Sequence, residues 1–328
     1  MMHQKLRLIK RSVVPFICAV LFTNITKAQS NPIVSNNHLV LPAKTQFIKF
    51  YWQGDTINTK WEEHTAILLP VKLKNCPKQF FMQFDLGSPY SLLYKNKLVE
   101  IMAKYPESAA LKLSGDTLIN YSFKIGQMPL LAKLMVLKQF DNSPINWANK
   151  NSIEIIGTIG ADLIDGKVAI IDYPKKLLII SQAIPAKLKP NLSLTDFIYA
   201  QRRILLPAKV NGKQTILYFD TGSSMYELLT DKKTAQSLAV TDAEVVQSKV
   251  ESWGKYLIVN TVTTKDSIEI GDTKITIRKA SFIEGVSNSQ AEQMMKMGIG
   301  GMTGNKLFLD YKLVIDTKNK KFGLIHSR

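Results

Sequence analysis

Cysteine is scarce in this chain: Cys18 and Cys76 are the only two among 328 residues. Cys18 lies in an N-terminal leader-like stretch. Once that stretch is removed no intramolecular disulfide can form, and the fold must hold by packing. Histidine is almost as scarce. His3, His38, His64 and His326 are far apart and give no zinc-type ligand spacing. Acid is outnumbered, with 26 Asp and Glu against 43 Lys and Arg, a formal charge of +17. The basic residues are scattered along the chain, which describes an evenly solvated exterior rather than a nucleic-acid face. Gly300, Gly301 and Gly304 are not followed by the Lys-Ser of a phosphate-binding loop.

Long apolar runs are missing too. The one near the N-terminus, "SVVPFICAVLF", is too short for an ordinary membrane span. It follows Lys5, Arg7, Lys10 and Arg11 and precedes "TKAQ", the layout of a secretory signal peptide cut near Ala28. Residues 1–28 are therefore expected to be a leader, the alternative being an uncleaved N-terminal anchor, and the mature chain to be secreted or periplasmic, with no membrane span. Cleavage also removes Lys27 and leaves 38 basic against 26 acidic residues.

What the chain does have is an internal repeat, the first thing to seek in a β-rich sequence. "AILLPVKLKNCPKQFFMQFDLGSPYSLLY" aligns with "RILLPAKVNGKQTILYFDTGSSMYELLT". Downstream, "SFKIG" aligns with "SIEIG", and "GADLIDGKVAIIDYPKKLLII" with "GNKLFLDYKLVIDTKNKKFGLI". Short runs of Val, Ile, Thr and aromatic residues between turn signals read as strands. Asn211-Gly212 reads as a two-residue hairpin turn. Helices are few: "SLLYKNKLVEIMAK", "TDKKTAQSL" and "SQAEQMMKM". The repeat and the strand signals predict a mostly all-β chain of two homologous lobes, 66–183 and 204–328, joined by a connector, 184–203. Residues 29–65 form an N-terminal extension that reads as an extra hairpin. The aspartate motifs stand 135 residues apart and the later "S-x-x-I-G" strands 145, so lobe 2 carries ten extra residues, in or near "VESWGKYLIVNTVT".

Each repeat has a strand that is apolar up to an acid, Asp85 in lobe 1 and Asp220 in lobe 2, followed two residues later by Gly87 or Gly222. Glycine lets another backbone or a ligand approach closely. Ser88 in one copy, and Thr221, Ser223 and Ser224 in the other, can bond the carboxylate or fix the turn. A pseudo-twofold arrangement would bring the two loops face to face. Two close carboxylates cannot both ionise cheaply, so one becomes an acid and the other a base.

With these residues in place, the chain resembles the pepsin-like and retropepsin-like aspartic peptidases, in their two-lobed single-chain form. "FDTGSS" is similar to that superfamily's catalytic loop and "FDLGS" to a variant of it; "IIGTIGADLI" and "GIGGMTGNKLF" resemble the hydrophobic–glycine loops that support it. The resemblance implies a bilobal fold with barrel-like lobes, and an aspartic endopeptidase acting on peptide or protein substrates, in which Asp85 and Asp220 activate a water. Gly87, Ser88, Thr221, Gly222 and Ser223 would support the loops. It implies no metal, no organic cofactor and no nucleic-acid partner, and a monomer.

Two departures stand out. Leu86 replaces the hydroxyl residue that the family places beside the lobe 1 acid, so half of the hydroxyl network across the pair is expected to be missing. Lobe 1 also shows no Tyr-Gly flap; Tyr121 is its only nearby tyrosine, whereas lobe 2 has Trp253-Gly254 in its longer segment. Trp253 and Tyr121 are the candidates to cover a substrate, with lobe 2 supplying the larger cover. The alternative reading keeps the cleft but not the chemistry: an impaired aspartic-protease-like protein that binds peptides or serves as a scaffold.

Overall fold

The computed structural model describes residues 36–109, 112–140, 143–252, 255–284 and 298–327. The leader, Trp253-Gly254 and the whole of "SQAEQMMKM" lie outside the described residues. Among those described, no helix is long and apolar enough to cross a membrane.

The chain is mostly β, in two lobes whose strands follow the same order. In lobe 1 the strand leading to Asp85, Phe80–Phe84, lies between Lys60–Leu73 and Ile155–Ile159. Beyond Ile155–Ile159 come Leu92–Tyr94 and Met128–Lys138; beyond Lys60–Leu73 comes Thr117–Ile125. Thr117–Ile125 also pairs with Met128–Lys138, which closes the strands into a barrel. In lobe 2 the strand leading to Asp220, Lys213–Phe219, lies between Arg203–Val210 and Ile299–Thr303, followed by Leu228–Thr230 and Lys279–Ile283 on one side and Ser267–Ile270 on the other. In both lobes the aspartate strand pairs in parallel with the strand that precedes the supporting loop.

The sequence explains these elements locally. Arg203–Val210 alternates half-buried and buried positions along its whole length, the signature of a strand with one face on a core. Its hairpin turns at Asn211-Gly212, both left-handed at φ 49° and 73°, with Val210 opposite Lys213. Two helices, Lys95–Lys104 and Lys232–Leu238, follow the two aspartate loops. The pairing carries each sheet upstream of residues 66 and 204: Tyr51–Ile57 lies beside Lys60–Leu73 as Ile198–Ala200 lies beside Arg203–Val210. The added length of lobe 2 falls in one hairpin. Val246–Ser252 and Lys255–Thr263 make it, where lobe 1 has only Lys112–Ser114 against the start of Thr117–Ile125.

A third, antiparallel sheet joins the lobes. Its order is Thr195–Asp196, Lys321–His326, Tyr311–Asp316, Val168–Asp172, Leu177–Ser181, Gln46–Lys49. Ile170 is paired with Val314, its own counterpart in the repeat, so the pseudo-twofold axis passes between them. One face of this sheet sends Ala169, Ile171, Leu313 and Ile315 into the main core. On the other face Val168, Ile170 and Val314 are covered by Ile184, Leu188 and Leu192 of the connector.

Because both lobes share this sheet, a cavity on the axis should loosen them together. Ile170 has no solvent exposure. We expect Ile170→Ala to cost about 2–5 kcal/mol and to lower the urea midpoints reported by probes in either lobe equally. A shift confined to one lobe would show that the lobes unfold independently.

Candidate active site

Asp85 and Asp220 sit at the ends of matching strands, and each is anchored by its supporting loop. The Asp85 amide donates to Ile159 O at 2.9 Å, and the Asp220 amide to Thr303 O at 3.0 Å. Both acids are completely buried. Each carboxyl lies over the other lobe's glycine. A Cβ added at Gly87 would fall 2.5 Å from Asp220 Oδ1, and one at Gly222 would fall 2.7 Å from Asp85 Oδ1. No side chain larger than hydrogen fits at either position, which is why both repeats carry glycine there.

The hydrogen bonds are unequal. Asp85 Oδ1 accepts from the amides of Gly87 (2.9 Å) and Ser88 (3.2 Å). Asp85 Oδ2 is buried and has no donor. Asp220 Oδ1 accepts from the Gly222 amide at 2.7 Å and Oδ2 from the Ser223 hydroxyl at 3.1 Å, and the Gly87 amide faces it as well. The two carboxyl groups are close enough for each to shift the other's titration. Two carboxylates have no proton to put between them. A proton held between them would give Asp85 Oδ2, which no donor reaches, its partner. Burial first, then the charge of Asp220, lifts Asp85 well above the ordinary carboxylate range. Burial also lifts Asp220, but the Gly222 amide, the Asp85 proton and the Ser223 hydroxyl oppose it. Burial thus raises both, and the donor missing at Asp85 Oδ2 makes their surroundings unequal.

The supporting hydroxyls divide in the same uneven way. Thr221 Oγ1 reaches into lobe 1, donating to Phe84 O and accepting from the Leu86 amide, both at 2.8 Å. Leu86, its counterpart, is fully buried in the apolar core. One half of the cross-lobe clasp is present and the other half is replaced by packing. The Ser88 hydroxyl turns away to Tyr90 O at 2.8 Å, so Ser88 serves Asp85 through its amide alone.

Other groups that tie the lobes together carried no local signal. Tyr218 donates across to Gly87 O at 3.3 Å. Asn305 bonds Thr221 O and Ser224 Oγ, and accepts at 2.8 Å from Tyr173, in the turn after Val168–Asp172 of the shared sheet. Lys306 reaches Glu62 on the lobe 1 hairpin. Burial pulls Glu62 up, but bonds from His64 and Lys306 outweigh it and hold its carboxyl at about 2. Tyr218 alone was discoverable: it stands two residues before Asp220, on the same strand face. In lobe 1, Asp162 accepts from the Ser91 amide and hydroxyl, both at 2.7 Å, and burial pushes it up to about 6.

Of the two candidate covers, Tyr121 is a core residue. It is buried beside Phe123 and Cys76, and Cys76 lies near the turn that opens the strand ending at Asp85. Trp253 is outside the described residues. The described part of its hairpin does roof the aspartate face of lobe 2, where Val250 and Val259 pack with Tyr218, Tyr226, Leu229 and Met302. Asn58, at the tip of the lobe 1 hairpin, bonds Gln247 O and Ser248 Oγ of that roof.

No family model matches the chain, and no curated protein matches it by sequence. Among solved structures it is similar to the aspartic proteinase from Irpex lacteus, at 10% sequence identity and a TM-score of 0.48, covering 87% of this chain and 98% of that one. The chemistry below rests on this chain's own residues.

Two expectations follow from the geometry. Thr221→Val leaves the Leu86 amide and Phe84 carbonyl unpaired inside the molecule, a loss of about 2–4 kcal/mol. Thr221→Ser keeps the hydroxyl and should retain most of the stability in urea unfolding. The second concerns pH. A carboxyl whose pKa is raised on folding adds stability that is fully present below its unfolded value, about 3.9, and is lost as pH rises through the folded value. Asp85→Asn removes that contribution. Between pH 4 and 8 the urea midpoint of the wild type should fall more than that of the variant; parallel curves would show that Asp85 titrates normally. Asp162 has the same sign and is common to both proteins, so the comparison isolates the pair.

Proposed function

We propose that the chain is an exported aspartic endopeptidase whose single active site is the Asp85–Asp220 pair. One observation supports this reading most: two buried carboxyls, each seated over the other lobe's glycine, with Asp85 Oδ2 left without a donor. Such a pair holds an acid and a base at a single point, which is what hydrolysis of an amide by water requires.

In the proposed reaction a water lies against both carboxyl groups. Asp220, the carboxylate, takes a proton from the water as it attacks the scissile carbonyl carbon. Asp85 gives its proton to the carbonyl oxygen, and a tetrahedral diol forms with no covalent bond to the protein. Collapse of the diol returns one proton to Asp85, while Asp220 passes its proton to the leaving nitrogen. Both acids are closed to solvent, so substrate entry requires the enclosure around them to open.

The missing clasp at Leu86 favours a second reading, in which the cleft binds peptides without cutting them. A peptide-library assay from acidic to neutral pH separates the two. The wild type is expected to cleave with a bell-shaped dependence on pH, and Asp220→Asn to lose about 10²–10⁴-fold in kcat/KM. Cleavage that survives in Asp220→Asn would sink the assignment. Saturable binding without cleavage by the wild type would establish the second reading.

A further inference from the structure

Lobe 1 carries two buried amides on the strands beside the acid, each with one polar atom left without a partner. Gln83 stands two residues before Asp85 on the same strand. Alternation therefore points it to the same face as Asp85, away from Phe80, Met82 and Phe84, which enter the core. Gln83 is 3% exposed, and its Nε2 has no partner. Gln53 is 7% exposed, and its Oε1 has no partner.

The register places the two on one patch. Gln83 is paired with Leu68, and Gln53 with Ala66, two residues from Leu68 on the same side of its strand. Leu68 and Ala66 are buried but lie outside the main core cluster. Gln53 and Gln83 thus flank one apolar strip, next to the carboxyl of Asp85.

A buried amide atom without a partner is destabilising. Two of opposite character, one donor and one acceptor, are the complement of a single carboxamide. The arrangement belongs to lobe 1 only. In the lobe 2 repeat the position of Gln83 is held by Tyr218, whose hydroxyl is engaged by Gly87 O, and that of Gln53 by Ala200. Beside Asp220 the face is apolar and aromatic: Tyr218, Tyr226, Leu229 and Met302. The two flanks of the carboxyl pair therefore differ in kind.

We propose that Gln53 and Gln83 form a specificity subsite that takes a carboxamide side chain, Gln or Asn, of a peptide lying across the acids. Gln83 donates to its carbonyl oxygen and Gln53 accepts from its amide nitrogen. Leucine of similar size leaves both protein amides unpaired, and glutamate offers Gln53 no proton. The inference rests on the endopeptidase reading for the position of the peptide, but recognition does not need turnover.

The test uses full-length Asp220→Asn protein and a positional-scanning peptide library, with enrichment of bound peptides as the readout; wild-type cleavage is measured in parallel. One position is expected to favour Gln and Asn over Leu and Glu by about tenfold, the worth of one or two hydrogen bonds. Adding Gln83→Leu or Gln53→Leu should abolish that preference while binding of apolar peptides persists. Gln83→Glu, which exchanges the donor for an acceptor, should reverse the preference toward basic side chains. An absent Gln and Asn preference, or one unchanged in both leucine variants, overturns the proposal. Enrichment by the Asp220→Asn protein with no cleavage by the wild type would uphold the subsite and defeat the endopeptidase reading.

Discussion

Two carboxyl groups buried against each other at the meeting of the lobes set the terms for the rest of this molecule. Doubly charged, the pair would be expelled by its own repulsion and by the lack of water around it. Doubly protonated, it would waste the amides that converge on Asp220. The singly protonated state needs a small, rigid and closed enclosure. Gly87 and Gly222 provide the space, the Ile159 and Thr303 carbonyls fix the strand ends, and the shared sheet holds the lobes in register. The pairing of Ile170 with its own repeat counterpart places the axis of that enclosure within the most deeply packed strands.

The enclosure is symmetric in backbone and asymmetric in chemistry. Lobe 2 supplies the hydroxyls: Thr221 for the clasp and Ser223 for its own acid. Lobe 1 supplies an apolar clasp position, Leu86, and a serine whose hydroxyl looks elsewhere. The bias follows directly. Only Asp220 draws on a hydroxyl, and only Asp85 keeps an oxygen that no donor reaches. The loss of one hydroxyl therefore sharpens the division of roles, because it leaves the two carboxyl groups in unlike surroundings. The hairpins repeat the same contrast. The longer one belongs to lobe 2, and lobe 1 answers it from the opposite side with Asn58.

Much of this was legible before any coordinates. The repeat exposed both acids and both glycines, and the offset between motifs located the longer hairpin. The Asn-Gly turn was readable because two left-handed residues leave few alternatives. Other features were hidden for physical reasons. The strand Tyr51–Ile57 and its partner in lobe 2, Ile198–Ala200, share pairing but almost no residues, so the repeat seemed to start later than it does. Glu62 with Lys306 and Tyr173 with Asn305 are contacts between distant residues that no local pattern announces. Tyr121 was assigned to the cleft by residue type. It is in phase with the buried Phe123 and Ile125, and the left-handed Asn120 resets that phase from Leu118. Period-two alternation from Phe123 back would have placed it in the core.

The central claim is the shared proton, and carboxyl carbon NMR addresses it without any substrate. With aspartate labelled at the side-chain carboxyl and the two signals assigned through Asp85→Asn and Asp220→Asn, titration across acidic to neutral pH reports each charge. The pair should pass through a broad window with one acid protonated, assigned to Asp85, and one ionised, assigned to Asp220. If both signals titrate together in the ordinary carboxylate range, near 4, the two groups are not coupled and the proposed chemistry has no basis.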